Sequence, residues 1–235
     1  IRRLGTITRV LARHGFADAV DRLFRRKRIT PPEPAPAALP KSASVTARRI
    51  RQALEELGPS FIKLGQLLST RADLFPPAHI EEFKKLHDSV PPEPFEQIRR
   101  TLEKELKRPL LEVFASFSET SMAAASVAQV HQARLFTGEE VAVKVVRPGI
   151  AKKIKEDIRL MYFFARRIEK VFELGRIIGA VNLVEEFERT VFRELDMAVE
   201  AGNIEKFSHN FRLVNEIHIP KVYWELNSKS VLVME

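Results

Sequence analysis

Val141-Ala142-Val143-Lys144-Val145-Val146 places one cation in the middle of an otherwise apolar run rich in β-branched residues. Such a run favours an extended strand, on which successive side chains point to opposite faces. Val141, Val143 and Val145 then share one face, and Ala142, Lys144 and Val146 the other. The valine face calls for a hydrophobic core behind it. The other face sets a charge among small apolar neighbours, where it needs an anionic partner or an anionic ligand. An edge-strand lysine that blocks pairing with other chains shows the same local pattern. The segment thus demands a two-faced sheet, and the rest of the chain has to decide what Lys144 does.

The surrounding periodicity supplies helices on both sides of that sheet. Residues 1–28 read as one or two short amphipathic helices, with Leu4, Ile7 and Leu11 on one face, an interruption at Gly15, and Phe16, Val20, Leu23 and Phe24 resuming it. Five prolines within residues 31–40 predict an extended linker over 31–43. Helices are expected over 44–57, 60–70, 78–88 and 94–107, the first two separated by Gly58-Pro59. A strand follows over 126–135, a turn at Thr137-Gly138, the Lys144 strand, and long helices over 151–172 and 182–207. Segments 217–225 and 230–235 read as two strands joined at Asn227-Ser228. The order gives an α+β fold with an antiparallel sheet. Its expected divisions are a basic arm (1–30), the linker, a helical extension (44–110) and a sheet-bearing lobe (111–235) with a helical insertion at 150–181.

Charge is placed unevenly. Of 39 Lys and Arg and 31 Asp and Glu, residues 1–51 carry 13 and 3, so the arm holds +10 and the remainder −2. A basic amphipathic helix can lie in an anionic membrane interface, or pack on the protein with its arginines in water; periodicity serves both. Nucleic acid is a poorer match, because the arm lacks an aromatic platform or a recognised reading motif. The absence of cysteine excludes disulfides, thiolate metal sites and a cysteine nucleophile. No run approaches the roughly 20 apolar residues of a membrane-spanning helix. A first residue other than Met, and a last segment inside an expected strand, lead us to expect an excerpt of a longer protein. His79, His87 and His131 have no metal-site spacing, Ser126 lacks a nucleophile-elbow context, and Tyr223 and Trp224 are expected to pack in the sheet.

Context gives Lys144 a role. A kinase small lobe needs a loop over the phosphates between its first two strands, a lysine on the third strand, and a glutamate on a later helix to hold that lysine. Here the small-residue segment Met122-Ala123-Ala124-Ala125-Ser126 precedes a hairpin leading to Lys144, and the 182–207 helix offers Glu194, Asp196 and Glu200. Asp196, Glu200 and Asn203 share one helix face. The ending Leu232-Val233-Met234-Glu235 has the look of the strand that enters a kinase hinge. Alanines stand where kinases place glycines, which lets backbone amides face phosphate but restricts φ.

Three stretches make a family resemblance. Phe61-Ile62-Lys63-Leu64-Gly65-Gln66 holds a K-x-G-Q signature continued by Ser69-Thr70-Arg71-Ala72-Asp73; residues 122–131 form an alanine-rich loop; and Glu194-Leu195-Asp196 with Glu200 and Asn203 forms an E-x-D segment and its helix. The chain resembles the UbiB family, the aarF-domain atypical kinases associated with ubiquinone biosynthesis. The resemblance implies that Lys144 contacts ATP or ADP phosphates and pairs with Glu200. It implies that Met122, Ala123, Ala124, Ala125, Ser126, Val127, Ala128, Gln129 and Val130 cover the nucleotide, with Glu235 at the hinge. Lys63 and Gln66 would meet Glu194 and Asp196 and occlude protein substrates, although Lys63 taken alone reads as a solvated surface lysine. The catalytic aspartate, the metal-binding asparagine and the D-F-G-type aspartate that hold Mg²⁺ would lie in a large lobe beyond Glu235, so turnover is expected only of the full-length protein. Anionic and isoprenoid lipids and ubiquinone-biosynthesis enzymes are the implied partners, at the cytoplasmic face of the inner membrane through the basic arm. The rival reading is a lipid-binding regulatory or scaffolding module with a vestigial nucleotide site.

Overall fold

The computed structural model describes residues 2–24, 43–86, 90–214 and 216–235; the linker expected over 31–43 lies, save for Ala43, outside them, as does His87. The chain begins with α1 (Arg2–Leu11), a kinked turn (Ala12–Phe16) and α2 (Ala17–Phe24). Helices α3 (Ala43–Leu57), α4 (Pro59–Leu68), α5 (Pro77–Phe83), α6 (Phe95–Leu106) and α7 (Leu110–Val113) lead to strands β1 (Phe114–Ala124), β2 (Ala128–Leu135) and β3 (Glu140–Val146). Then come α8 (Ile150–Val171), α9 (Glu173–Ile178), α10 (Ala180–Glu194), α11 (Met197–Asn210), a 3₁₀ turn (Trp224–Leu226) and β4 (Val231–Met234). These form two compact units, 1–88 with 154–188, and 89–153 with 189–235. The partition differs from the divisions expected at 44–110 and 111–235. Residues 154–188 group with the N-terminal helices, and α6 groups with the sheet.

The first unit is helical. Ile154, Ile158, Met161 and Ala165 of α8 are buried, as the 3.6-residue period requires. Ile7 and Val10 of α1 and Leu23 of α2 are buried too, at 1%, 4% and 6% exposure, so the apolar face of the basic arm is turned into the unit. Gly15, at φ 89°, permits the kink between the two short helices. A buried carboxylate fixes the arm. Asp157, 1% exposed, accepts from Arg3 Nε at 2.7 Å and Nη2 at 3.0 Å, and from Ser60 Oγ at 2.6 Å. Arg3 Nη2 also donates to Leu57 O at 2.8 Å, and its guanidinium lies over the Phe61 ring. One fork thereby ties α1 to α3, α4 and α8.

The second unit is a four-stranded antiparallel sheet in the order β1-β2-β3-β4. Val141, Val143 and Val145 lie at 3%, 0% and 0% exposure in one core with Ile98 and Leu102 of α6, Phe114, Ala133, Leu135, Val231 and Val233. Burying three valines is worth about 1.5–3 kcal/mol each. The segment 217–225 is not the expected strand. It makes a single bridge, Val222 to Met234, and then the 3₁₀ turn. Pro220 has no N–H to give a ladder. Tyr223 enters the core at 6% exposure, whereas Trp224 stays 42% exposed with its Nε1 donating to Glu205. The helix expected over 182–207 also breaks. Asp196 adopts an extended φ −103°, ψ 97°, and its side chain accepts from Ala198 N, capping α11.

Removing the buried carboxylate leaves Arg3 without its partner inside the helical unit. Asp157→Ala is expected to cost about 3 kcal/mol. For a chain of this size that lowers the thermal midpoint by about 6–12 °C. Calorimetry beside Asp18→Ala, an exposed acid of the same arm, checks it.

Candidate functional site

Register decides what faces Lys144. On β2, β3 and β4, Val130, Lys144 and Leu232 are directly paired, and the next row on the same face pairs Gln132, Ala142 and Met234. Val130, Ala142 and Met234 are half-buried. Together they make an apolar shelf beside the lysine. Ala142 and Met234 escape sequence reasoning because only the β3–β4 register sets them side by side.

Lys144 Nζ donates to both Glu200 carboxylate oxygens at 2.8 Å, reaching from β3 to the first turn of α11. The pairing expected from the sequence is formed. The two side chains are 27% and 36% exposed, so solvent screens the pair. Its net worth to folding is at most about 1 kcal/mol. That is small beside the three buried valines of the same strand. The valines hold the register, and the register holds the ammonium group at a half-open face where it can meet a further anion.

The alanine-rich segment is a tight hairpin turn more than a loop. Ala128 to Val130 already belong to β2, and Ser126, Val127, Ala128 and Gln129 are buried at 0%, 3%, 2% and 1% exposure. Met122, 65% exposed, and Ala123 to Ala125 are the part that faces outward. The turn is pinned from inside. Ala125 N donates to Ala128 O at 2.8 Å, and Arg147 N to Val127 O at 2.9 Å. Arg147 Nη1 donates to Ala125 O, and Nη2 to Pro91 O and to Glu93 at 2.6 Å. Gln129 Oε1 accepts from Glu93 N, and its Nε2 meets His131 Nε2 at 2.8 Å. His131 Nδ1 lies 2.8 Å from Ser118 O, so Nδ1 carries the proton and Nε2 accepts from Gln129. Sequence reasoning missed Arg147 and Glu93, which are 54 residues apart and carry no local signal.

The E-x-D segment splits between two jobs. Asp196 caps α11, and Met197 N donates to Lys229 O, seating the helix that carries Glu200. Glu194, Glu200 and Asn203 line one hollow with Arg193 and Val199. At the chain end, Glu235 N donates to Lys221 O at 2.9 Å and its carboxylate lies 3.3 Å from His218 Nε2.

The K-x-G-Q residues sit in the helical unit. Gly65 is buried, and a Cβ there would stand 2.2 Å from Leu86 Cδ1 and 2.8 Å from Leu54 Cδ1. Gln66 Nε2 donates to Leu86 O at 3.2 Å. Glycine and glutamine thus press α4 against α3 and the chain after α5. Lys63, on the same helix, is half-buried. Past the helix, Arg71 grips Asp73 through two donors and reaches Glu186 of α10 at 2.6 Å. The Arg71 guanidinium holds the Asp73 carboxyl below its ordinary range.

Residues 85–235 match the ABC1 atypical kinase-like domain. A protein named "Probable protein kinase UbiB" from Marinobacter nauticus is 49% identical over 187 residues, which are 80% of this chain and 34% of that protein. Its namesake from Pseudomonas putida strain W619 is 41% identical over 242 residues, covering all of this chain and 44% of that one. Among solved structures, the complex of Rv3197 with erythromycin from Mycobacterium tuberculosis is 26% identical, with a TM-score of 0.47 over 80% of this chain and 47% of that chain. The chain spans between a third and a half of the length of these curated relatives.

Burial holds the His131 imidazole below its ordinary pKa, and burial does the same to His79. The unfolded chain takes up a proton near pH 6.5, while the folded one stays neutral to lower pH. Stability is therefore fully present above about pH 6.5 and is lost as pH falls through the folded-state values. Melting curves between pH 7.5 and 5 should show this fall, and His131→Gln should flatten it. A slope unchanged by that substitution places the proton uptake elsewhere.

Proposed function

Because this chain belongs to the UbiB family of ABC1 atypical kinase-like proteins, we propose that its sheet-bearing unit is the nucleotide-gripping small lobe of an atypical kinase or ATPase. That enzyme would be a longer protein whose large lobe carries the catalytic aspartate, and it would serve ubiquinone biosynthesis. The observation that carries the reading is the Lys144–Glu200 pair beside an apolar shelf. The ubiquinone assignment rests on the resemblance to UbiB proteins.

The residues present fit ATP or ADP. Val130, Ala142 and Met234 offer a flat base an apolar surface on the face that bears Lys144. Glu200 holds the ammonium in place, so a phosphate gains a positioned cation without first ordering a four-carbon side chain. Met122 to Ala125 form the outward edge over that face, but the Ala125 amide is already bonded to Ala128 O. The phosphate grip falls on Lys144 more than on backbone amides. When bound, ATP would supply the transferable γ-phosphoryl group and Mg²⁺ would offset its negative charge. Among the described residues no group of three or more His, Asp or Glu is placed to hold a metal ion.

Membrane association enters the same proposal with a changed basis. Ile7, Val10 and Leu23 are buried, whereas Arg2, Arg9, Arg13 and Arg22 are exposed. The arm then meets anionic headgroups through surface charge and not through inserted apolar side chains.

Two experiments test these readings. Titration calorimetry of the full-length protein with ATP and ADP should show saturable binding that Lys144→Ala weakens at least tenfold and Glu200→Gln weakens less. The melting midpoint of Lys144→Ala should stay within about 2 °C of the parent, since the exposed pair adds little to folding. Undiminished nucleotide binding by Lys144→Ala would end the proposal. In the second experiment, co-sedimentation with anionic vesicles should fall steeply between low and high salt. Binding that resists salt would speak for insertion instead.

A further inference from the structure

The helical unit contains a cavity of about 330 Å³ that no part of the nucleotide reading uses. It lies among α1, the Ala12–Phe16 turn, α3, α4, α8 and α10, with Leu11, Phe16, Ala53, Leu64, Ala165 and Leu183 on its wall. Every residue that lines it is apolar. Protein interiors close-pack, and voids larger than a water molecule are few. An apolar cavity of about 150 Å³ stays dry and takes up benzene. A cavity of twice that volume suits roughly twice the hydrocarbon, about a dozen carbons. Its wall is almost wholly apolar, so water gains little by entering.

Its rim carries a second signal. Gly15, at φ 89°, adjoins Phe16 of the wall, and a Cβ there would stand 3.0 Å from Arg49 Nη1. Arg49 in turn precedes Ile50, another wall residue. The neighbouring side chains of Arg13 and His14 are both engaged by Glu56, at 2.5 Å and 2.9 Å. A half-buried guanidinium beside an apolar hollow matches an anionic head on an apolar chain.

We propose that this cavity binds one single-chain anionic amphiphile, its chain of about a dozen carbons among α3, α4 and α8 and its head at Arg49. The chain enters the first unit alone, so the site stands or falls independently of Lys144. The wall residues are contributed by the arm as well as by the helices behind it. An occupant would therefore fill the space under the arm and fasten it to the unit.

The test is calorimetric titration of the 235-residue chain with dodecanoate, with dodecyl phosphate, and with neutral dodecanol as competitor. One saturable site per chain is expected for dodecanoate, and none for butyrate. Ala165→Phe and Ala53→Leu, made separately, should each weaken dodecanoate at least tenfold while the melting midpoint holds or rises. Arg49→Gln should weaken dodecanoate about fivefold or more and leave dodecanol competition unchanged; equal loss for both ligands would remove Arg49 from the site. Dodecyl phosphate binding tighter than dodecanoate would assign a phosphate head, and the reverse a carboxylate head. A diazirine-bearing dodecanoate, photolysed on the unsubstituted chain, should label peptides of α3, α4 or α8. Absence of saturable binding, undiminished binding in both filled variants, or label confined to other peptides would overturn the proposal.

Discussion

A strand has two faces, and on β3 the two cannot be exchanged. A slip of one residue would drive Lys144 into the core of Ile98, Leu102 and Phe114 and lift three valines into water. The valines contribute several kilocalories per mole and the partly exposed ion pair about one or less. Stability therefore sets the register, and chemistry is carried by what the register leaves over: one ammonium group, an apolar shelf and a glutamate across from it. The β2 and β4 partners follow from the same choice, since Val130 and Leu232 are placed by their pairing with Lys144.

How much of this is legible in the sequence depends on range. The alternation of β3 is local, and so is the period of α8, so their faces can be read from residues a few positions apart. The Lys144–Glu200 pair spans 56 residues yet is also readable, because strand lysine and helix glutamate form a known order of parts. Arg147 with Glu93 spans nearly the same distance and has no such order to betray it. Local competition hides other features. Asp196 lies in a sequence that continues a helical pattern, and only its side-chain bond to Ala198 N turns the backbone out of the helix. Pro220 leaves a β-rich composition intact while removing the donor that a strand would need. Trp224 accordingly faces solvent.

The motif residues show why a sequence signature underdetermines its cause. Gly65 and Gln66 have a sufficient packing reason within the helical unit: there is no room for a methyl group against Leu86, and the glutamine amide bonds Leu86 O. Small-to-large changes in such places cost about 1–3 kcal/mol. A loss of function on changing either residue is therefore ambiguous until folding is measured beside it.

The basic arm carries two physical roles that sequence periodicity cannot separate. Its apolar side is core, with Ile7 nearly as inaccessible as any side chain of the sheet. Its charge is divided as well: Arg3 is bound to Asp157, while Arg2, Arg9, Arg13 and Arg22 reach solvent. Pulling the helix out to insert it in a bilayer would expose Ile7 and Val10 and strip Asp157 of its fork. Membrane insertion would return the apolar area but not the buried ion pair, which has no equivalent among lipid tails. On the proposed membrane reading, the balance favours an arm that stays folded and meets the surface through its arginines. Electrostatic contact of that kind is strong near the surface, fades within about 8–10 Å at ordinary salt, and leaves the helical unit and its cavity undisturbed.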